Sequence, residues 1–331
     1  MSGVYTAAQE ERAPDAQWAA TLARRSATWL AEDATWDEAT GHAWSWRSAD
    51  GSAYAYPEAS AWVVWACARA RDSGHVALPE ALRSRADGAV DALQALGRAG
   101  GVGRGGKVYL FDTAVAAAAV LAWTADRDAA QPLLGVLRDF LAQRRAVTDG
   151  PVLGAETAQT VWSEAVGAHC LWACVPLALA GRADVAVQWA KLVVPALAGP
   201  PLRHHRQADH AYLHALAYGC AGLATLRGEF ESTHARWLQA IAAQLGRSGV
   251  AAYSDGTGPR RADTTAQLAQ LAAGDAGLAG KAAAALRALA HFAQPDGGMR
   301  YEAGLDHVNT WCTAMALQAA AAHASWGRWP R

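Results

Sequence analysis

The chain has 331 residues, and its 29 Lys and Arg against 30 Asp and Glu give a formal net charge of −1. Such a balance provides no general electrostatic attraction to nucleic acid or to an anionic membrane surface, so the composition argues against nucleic-acid partners. Hydrophobic residues make up 52% and charged residues 18%, which excludes a disordered chain and allows a large core.

The first predicted helix covers residues 18–31, and the segment before it does not resemble a secretion signal. It carries acidic residues where a signal peptide needs a basic patch followed by an apolar block. The longest apolar runs, 113–123 and 170–180, are shorter than the roughly 18 residues of a membrane helix, so no integral membrane segment is predicted. Five cysteines in apolar surroundings are typical of buried, reduced thiols, and we expect a cytoplasmic protein.

Helical periodicity recurs along the chain, whereas the alternation typical of strands is nearly absent. The sequence therefore predicts an all-α protein. The predicted helices cover 18–31, 59–71, 78–96, 112–124, 130–144, 158–180, 183–198, 211–226, 232–245, 264–273, 278–293 and 309–322.

Six of these helices are apolar on every side, and an amphipathic helix precedes each one. An apolar helix is buried and an amphipathic one covers it, so the pattern predicts six helical hairpins in a closed α/α toroid. We expect a single domain over residues 1–331, with a flexible segment at 1–16. An open solenoid of two-helix repeats is the alternative. The apolar helices open with Glu58, Asp112, Glu164, Asp209, Asp263 and Asn309, at steps of 45 to 54 residues.

A closed ring brings these polar residues to one mouth. Close carboxylates in a half-buried pocket have raised pKa values, which suits acid/base catalysis. The predicted catalytic residues are Glu58, Asp112, Glu164 and Asp263. The predicted substrate-binding residues are Tyr56, Trp62, Trp162, Asp209, His210, His214, Asn309 and Trp311. In the alternative interpretation, each acid only caps its helix.

Possible metal ligands occur in three clusters, but none has the spacing of a known zinc motif, so we predict no metal and no cofactor. The clusters are His169 with Cys170 and Cys174, His204 with His205, Asp209 and His210, and Cys220 with Cys312 and His214. The excess of tryptophan, 15 beside 4 Phe and 8 Tyr, instead suggests a cavity wall that stacks a ring or stabilises a cation.

Short motifs between Trp36 and Ala320 follow one another in a characteristic order. They are YPEAS at 56–60, FDTA at 111–114, HAYLHALAY at 210–218, DTTAQLA at 263–269, DGG at 296–298 and NTW at 309–311. In this order they resemble bacterial α/α-toroid proteins of the terpenoid cyclase and protein prenyltransferase superfamily, and most closely those of exopolysaccharide loci. The resemblance implies a toroid that binds a small-molecule, glycan or isoprenoid ligand.

Three functions remain open. The first is an enzyme that uses acid/base chemistry on a carbohydrate or glycan precursor, with Asp263 or Glu58 as the proton donor and Asp112 or Glu164 as the base. The second is an isoprenoid cyclase. The class II cyclase motif Asp-x-Asp-Asp-Thr-Ala carries its protonating acid as the middle Asp, and the resemblance places Asp263 there. The third is a non-catalytic protein that binds a ligand in the same pocket.

Overall fold

The computed structural model describes residues 13–47, 54–142, 167–197, 211–226 and 228–324. A 3-10 helix, Ala168–Ala173, runs directly into the sixth α-helix and extends it. The α-helices of the described residues are α1 (Ala13–Ala31), α2 (Pro57–Ser73), α3 (Glu80–Arg98), α4 (Leu110–Thr124), α5 (Arg127–Ala142), α6 (Cys174–Leu179), α7 (Ala183–Ala196), α8 (Leu213–Ala224), α9 (Glu231–Ala243), α10 (Ala262–Ala272), α11 (Ala279–Ala288) and α12 (Thr310–Ala324).

The even-numbered helices form an inner ring. Helix α2 packs between α4 and α12, α10 packs between α8 and α12, and the 3-10 helix packs between α4 and α8, so the ring closes on itself. The odd-numbered helices lie outside, and α1, for instance, packs against α12. This is the predicted α/α toroid, and the open solenoid is wrong.

Composition explains which helices lie inside. Every residue of α4 from Leu110 to Leu121 is buried, whereas α3 buries one face, including Leu82 and Leu93, and exposes the other. Helix α1 begins at Ala13, so residues 13–16, assigned above to a flexible segment, are helical, and residues 1–12 lie outside the described part. In the described ranges, no α-helix has both the length and the apolarity that crossing a bilayer requires.

Short strands precede several inner helices, which the sequence did not predict. Each has two or three residues and all pair antiparallel, in the orders β1-β8-β7, β2-β3 and β4-β5-β6. Runs this short contain too little alternation to be recognised. The strands are β1 (Trp46–Arg47), β2 (Gly103–Arg104), β3 (Lys107–Val108), β4 (Leu245–Gly246), β5 (Gly249–Ala251), β6 (Arg260–Arg261), β7 (Met299–Arg300) and β8 (Val308–Asn309).

A repeated hydrogen bond joins four inner helices to the segments before them. The fourth residue of each of these helices is Ser or Thr, and its hydroxyl accepts a hydrogen bond from a buried backbone N–H. These bonds satisfy N–H groups that burial would otherwise leave without a partner. The pairs are Ser60 with Ala43 at 2.8 Å, Thr113 with Val102 at 3.0 Å, Thr265 with Val250 at 2.9 Å and Thr313 with Met299 at 2.9 Å.

All five cysteines are buried and unbridged, as predicted. Burial raises the pKa of Cys170 to about 11 and that of Cys174 to about 12. Both groups are therefore protonated thiols at neutral pH, and they act as small apolar side chains of the core.

Candidate active site

The second residues of five inner α-helices, and of the 3-10 helix that leads into α6, define a ring at one end of the toroid. This N2 ring consists of Glu58, Phe111, His169, His214, Asp263 and Trp311. Contacts run around part of it. The rings of Phe111 and His169 have centroids 5.7 Å apart, and His214 Nδ1 lies 3.5 Å from Asp263 Oδ2. The N2 ring thus carries two carboxylates and two imidazoles.

The predicted polar residues do not all occupy the same position in their helices. Glu58 and Asp263 are second residues of α2 and α10, but Asp112 is the third residue of α4 and Asn309 directly precedes α12. Asn309 caps its helix, because its Oδ1 accepts a hydrogen bond from the Cys312 N–H at 2.9 Å. The carboxylates of α2 and α4 do not occupy the cap position, which belongs to tyrosines in both helices.

Glu58 and Asp112 form the first acidic cluster. Glu58 is half-buried, and its Oε1 accepts a hydrogen bond from Trp62 Nε1 at 2.9 Å. Asp112 is fully buried, and its Oδ2 accepts a hydrogen bond from the Tyr56 hydroxyl. The other oxygen, Oδ1, has no hydrogen-bond partner among the described residues. One carboxyl is therefore open to a ligand, and the other has an unused acceptor.

The environment of this cluster favours protonation. Burial raises the pKa of Glu58 to about 7, although the Trp62 hydrogen bond and the Arg104 guanidinium act in the opposite direction. Burial and the adjacent Glu58 carboxylate raise the pKa of Asp112 well above its ordinary range. Arg104 is exposed, and its Nη1 lies 3.3 Å from the Tyr54 hydroxyl. A carboxyl that is partly protonated near neutral pH is suited to proton transfer.

Asp263 lies in a second cluster with the opposite electrostatics. Its Oδ2 is 2.7 Å from Arg261 Nη2, and the Arg261 guanidinium stacks 3.5 Å from the centre of the Tyr301 ring. Burial alone would raise the pKa of Asp263, but Arg261 and His214 outweigh it, so the pKa is lowered. Burial lowers the pKa of His214, whose Nδ1 lies 2.8 Å from Gln267 Oε1. Asp263 is therefore an ionised carboxylate at neutral pH.

An aromatic layer lies beneath the N2 ring. Trp62 stacks on Tyr218 with centroids 5.4 Å apart, and Trp172 lies 4.9 Å from Trp62. Phe111 lies 4.7 Å from Tyr218. Burial raises the pKa of Tyr218, and the Glu58 and Asp263 carboxylates raise it further, so this phenol lies between the two acidic clusters.

The predicted site residues fall into three groups. Tyr56, Trp62 and His214 lie at the N2 end, although Trp62 is buried within the aromatic layer. Trp311 is half-buried at the rim, 6.2 Å from the Tyr301 ring. Glu164, Trp162, Asp209 and His210 lie outside the described residues.

Sequence analysis did not assign Arg104, Arg261 or Tyr218 to the site, and it considered His169 only as a possible metal ligand. The signal for His169 was its position at the start of an apolar helical run, which the predicted boundary at residue 158 concealed. The two arginines lie in short strands, β2 and β6, and nothing in the sequence marked these strands. In the described ranges, no group of three or more His, Cys, Asp and Glu side chains is arranged to hold a metal ion.

Solved structures with this fold include hydrolases and a cyclase. An unsaturated glucuronyl hydrolase specific for heparin superposes with a TM-score of 0.68 at 14% identity, covering 94% of this chain and 97% of that chain. A wild-type glycosidase gives 0.63 at 16% identity, covering 95% and 99%. An apo type II terpene cyclase from Scytonema gives 0.59 at 14% identity, covering 94% and 98%. No protein-family model and no curated protein sequence matches the chain. The likeness shows an α/α toroid whose structural neighbours are enzymes.

Proposed function

We propose that the protein is an enzyme that performs acid/base chemistry on a carbohydrate or glycan, with Glu58 and Asp112 as its catalytic pair. The observation that carries this proposal is a pair of neighbouring carboxyls with raised pKa values, of which Glu58 is half-buried at the mouth of the toroid. Fold similarity to glycosidases supports the substrate class. The motif resemblance supports a role in exopolysaccharide metabolism, and the five unbridged cysteines support a cytoplasmic location.

We assign different roles to the two acids. Glu58, with a pKa of about 7, donates its proton to the glycosidic oxygen as the bond to the anomeric carbon breaks. A water oxygen then bonds to that carbon. The two neighbouring carboxyls hold one proton between them in the reactive form, in which Glu58 is protonated and Asp112 is ionised. The proton of the water passes to Asp112 Oδ1, the oxygen without a partner among the described residues, while the Tyr56 hydroxyl donates to Oδ2. Most glycoside hydrolases use two carboxyl groups in such complementary roles.

Asp263 has a positioning role in this scheme. Its ion pair with Arg261 and its proximity to His214 keep Asp263 ionised. An ionised carboxylate has no proton to give, which argues against the predicted role of Asp263 as proton donor. The charge instead fixes Arg261 between the Tyr301 ring and the Tyr212 ring, which lie 3.5 and 5.5 Å from the guanidinium. We place the rim of the substrate site at this cluster and at the nearby Trp311.

The test is release of reducing sugar from a panel of glycosides. The panel includes unsaturated glucuronyl disaccharides prepared from heparin, because one structural neighbour is specific for heparin. We expect Glu58→Gln and Asp112→Asn each to lower kcat by about 10²- to 10⁴-fold, the usual contribution of acid/base catalysis. Glu231→Gln, an exposed change on α9, is the matched control and should leave turnover intact. Full turnover in both active-site variants overturns the proposal.

The aromatic layer favours one second candidate, an isoprenoid cyclase. Indole and phenol faces such as those of Trp62, Trp172 and Tyr218 stabilise carbocations. The Asp263 environment opposes the donor role that the cyclase resemblance implied, so Glu58 would supply the proton. Incubation with linear polyprenes, followed by mass spectrometry for cyclised products, tests this function. Glycan turnover without any cyclic product decides for the first proposal.

A further inference from the structure

A cavity of about 750 Å³ lies at the end of the toroid opposite the N2 ring. Its wall comes from the carboxyl-terminal parts of α2, α6, α8 and α10. In α2, Trp65 and Arg69 follow Glu58 by seven and eleven residues, which places them about 10 and 16 Å further along the helix axis. The cavity is therefore distinct from the acidic mouth.

The aromatic layer separates the two regions. A narrow void of about 10 Å³ lies between Trp62, Trp172 and Tyr218 on the toroid axis. A void of that size holds about one water molecule. Trp172 lines both the void and the large cavity. Packed aromatic rings consequently separate a ligand in the cavity from Glu58. One small ligand therefore cannot contact the cavity and the acidic mouth at the same time.

Two indole groups in the cavity wall have unused hydrogen-bonding capacity. Trp65 and Trp172 are 7% and 4% exposed, and neither Nε1 donates a hydrogen bond within the described residues. Their rings lie nearly perpendicular, at 82°, with centroids 5.9 Å apart. Buried donors without acceptors are rare in folded proteins, and a functional role is one of their explanations. Both nitrogens are covered, so a ligand reaches these N–H groups only when the two rings rotate.

The polar side chains around the cavity supply positive charge and further donors. The Arg69 guanidinium lies 5.8 Å from the centre of the Trp65 ring. An arginine remains cationic in such a setting and offers five N–H donors. Gln270 and His234 add groups able to donate, whereas the Thr225 hydroxyl already donates to the Gly222 carbonyl at 2.7 Å. Of the described residues that line the cavity, Asp275 is the one acid. Donors thus outnumber fixed anionic acceptors.

We propose that this cavity is a second ligand site and that it binds a small planar aromatic molecule bearing an anionic group. The aromatic rings pack against Trp65 and Trp172, and the anion lies at Arg69, with acceptor atoms of the ligand taking the indole N–H groups. The site is independent of the chemistry proposed for Glu58 and Asp112.

The probe for the test is 8-anilino-1-naphthalenesulfonate, which combines two aromatic ring systems with a sulfonate. Titration of the folded full chain, followed by probe emission and tryptophan quenching, should show one saturable site. Ala224→Trp, which places a large ring at the cavity wall, should weaken binding at least tenfold. Ala243→Trp, an exposed change on α9, is the matched control and should bind normally. If Ala224→Trp fails to fold by circular dichroism, Ala221→Leu takes its place.

The role of Arg69 in binding the anionic group is tested by comparing a charged probe with a neutral one. Arg69→Gln should weaken sulfonate binding about tenfold and leave the neutral analogue N-phenyl-1-naphthylamine unaffected. Glu58→Gln should bind the sulfonate as the unaltered chain does. The proposal is overturned if Ala224→Trp and Ala243→Trp bind equally, if Arg69→Gln affects both probes alike, or if Glu58→Gln weakens binding as much as Ala224→Trp does.

Discussion

Glu58 and Asp263 occupy the same position in two inner helices, yet their partners give them opposite protonation behaviour. Glu58 accepts a hydrogen bond from the neutral Trp62 indole, and burial dominates its pKa. Asp263 is paired with the Arg261 cation, which together with His214 overcomes the tendency of burial to favour the neutral acid. The identity of the nearest donor, neutral or charged, therefore decides which acid exchanges a proton near neutral pH.

The raised pKa of Glu58 makes a prediction about stability. In the folded state this pKa is about 7, above the ordinary value of about 4.3, so the group favours folding at low pH and the benefit is lost as pH rises through 7. Glu58→Gln should therefore stabilise the protein at pH 8 by about 1 kcal/mol or more and change little at pH 4, because one pKa unit is worth about 1.4 kcal/mol.

Urea unfolding at both pH values measures this difference. Glu231→Gln is the control, since Glu231 is exposed on α9. Equal effects of Glu58→Gln at pH 4 and pH 8 would show that the folded protein does not hold Glu58 in its protonated form.

Four inner helices carry a Ser or Thr at the fourth position, and its hydroxyl bonds to the segment before the helix. This contact fixes where each helix begins. Thr265 illustrates the point. It accepts from the Val250 N–H at 2.9 Å and donates to the Arg261 carbonyl at 2.6 Å. Once that position is set, the residue two places earlier, Asp263, belongs to the N2 ring. A polar contact away from the mouth thus determines which side chains form the site.

Thr265→Val should lower the free energy of unfolding by about 1–3 kcal/mol, because the shape is kept while the buried Val250 N–H loses its acceptor. Thr28→Val is the matched control. Thr28 is exposed on α1, and its hydroxyl bonds only to the Arg24 carbonyl one turn earlier. Chemical denaturation of the two variants compares them, and equal losses would contradict a structural role for the Thr265 hydroxyl.

Close approach of α8 to the neighbouring 3-10 helix depends on a glycine. A Cβ at Gly222 would lie 2.0 Å from the Leu171 carbonyl oxygen. Gly222→Ala should therefore separate these two elements and destabilise the protein, by roughly the 1–3 kcal/mol typical of overpacking. Gly88→Ala, on the exposed face of α3 with nothing within 4 Å, should instead stabilise by about 0.5–1 kcal/mol. Thermal unfolding distinguishes the two outcomes. A stabilised Gly222→Ala variant would show that the contact is not tight.

Helices were largely predictable from the sequence and the strands were not. The predicted helix at 112–124 corresponds to α4, Leu110–Thr124, because an unbroken apolar run marks a buried helix. Strands of two or three residues depend on pairing with distant segments, such as Trp46 with Asn309, and local sequence carries no trace of that pairing.

At the scale of the whole molecule, the closed ring followed from the regular recurrence of apolar helices, but the composition of the site followed only in part. Glu58 and Asp263 were identified because both are acids at helix starts. Phe111 was not, because an apolar residue in an apolar helix has no distinguishing chemistry. Asp112 was aligned one residue out of register. The acidic residues at the helix starts were enough to predict where the mouth lies. The packing of the helices is needed to show which residues face it.

Closure makes the toroid one cooperative unit, because α12 packs against both α2 and α10. Ala316→Glu, which buries a charge in α12, should lower the unfolding midpoint of the entire protein. Far-UV circular dichroism and tryptophan emission should still report a single coincident transition. Ala81→Glu, exposed on α3, should leave the midpoint nearly unchanged. Separate transitions for the two signals would indicate that the hairpins unfold independently.

The N2 ring takes one side chain from each of six inner helices, and each helix belongs to a different stretch of the chain. Each of these side chains can therefore be substituted separately, while the apolar inner helices that support them stay the same. Exchange of hairpins in the laboratory, or substitution of ring residues during evolution, should therefore change the substrate preference more readily than the fold.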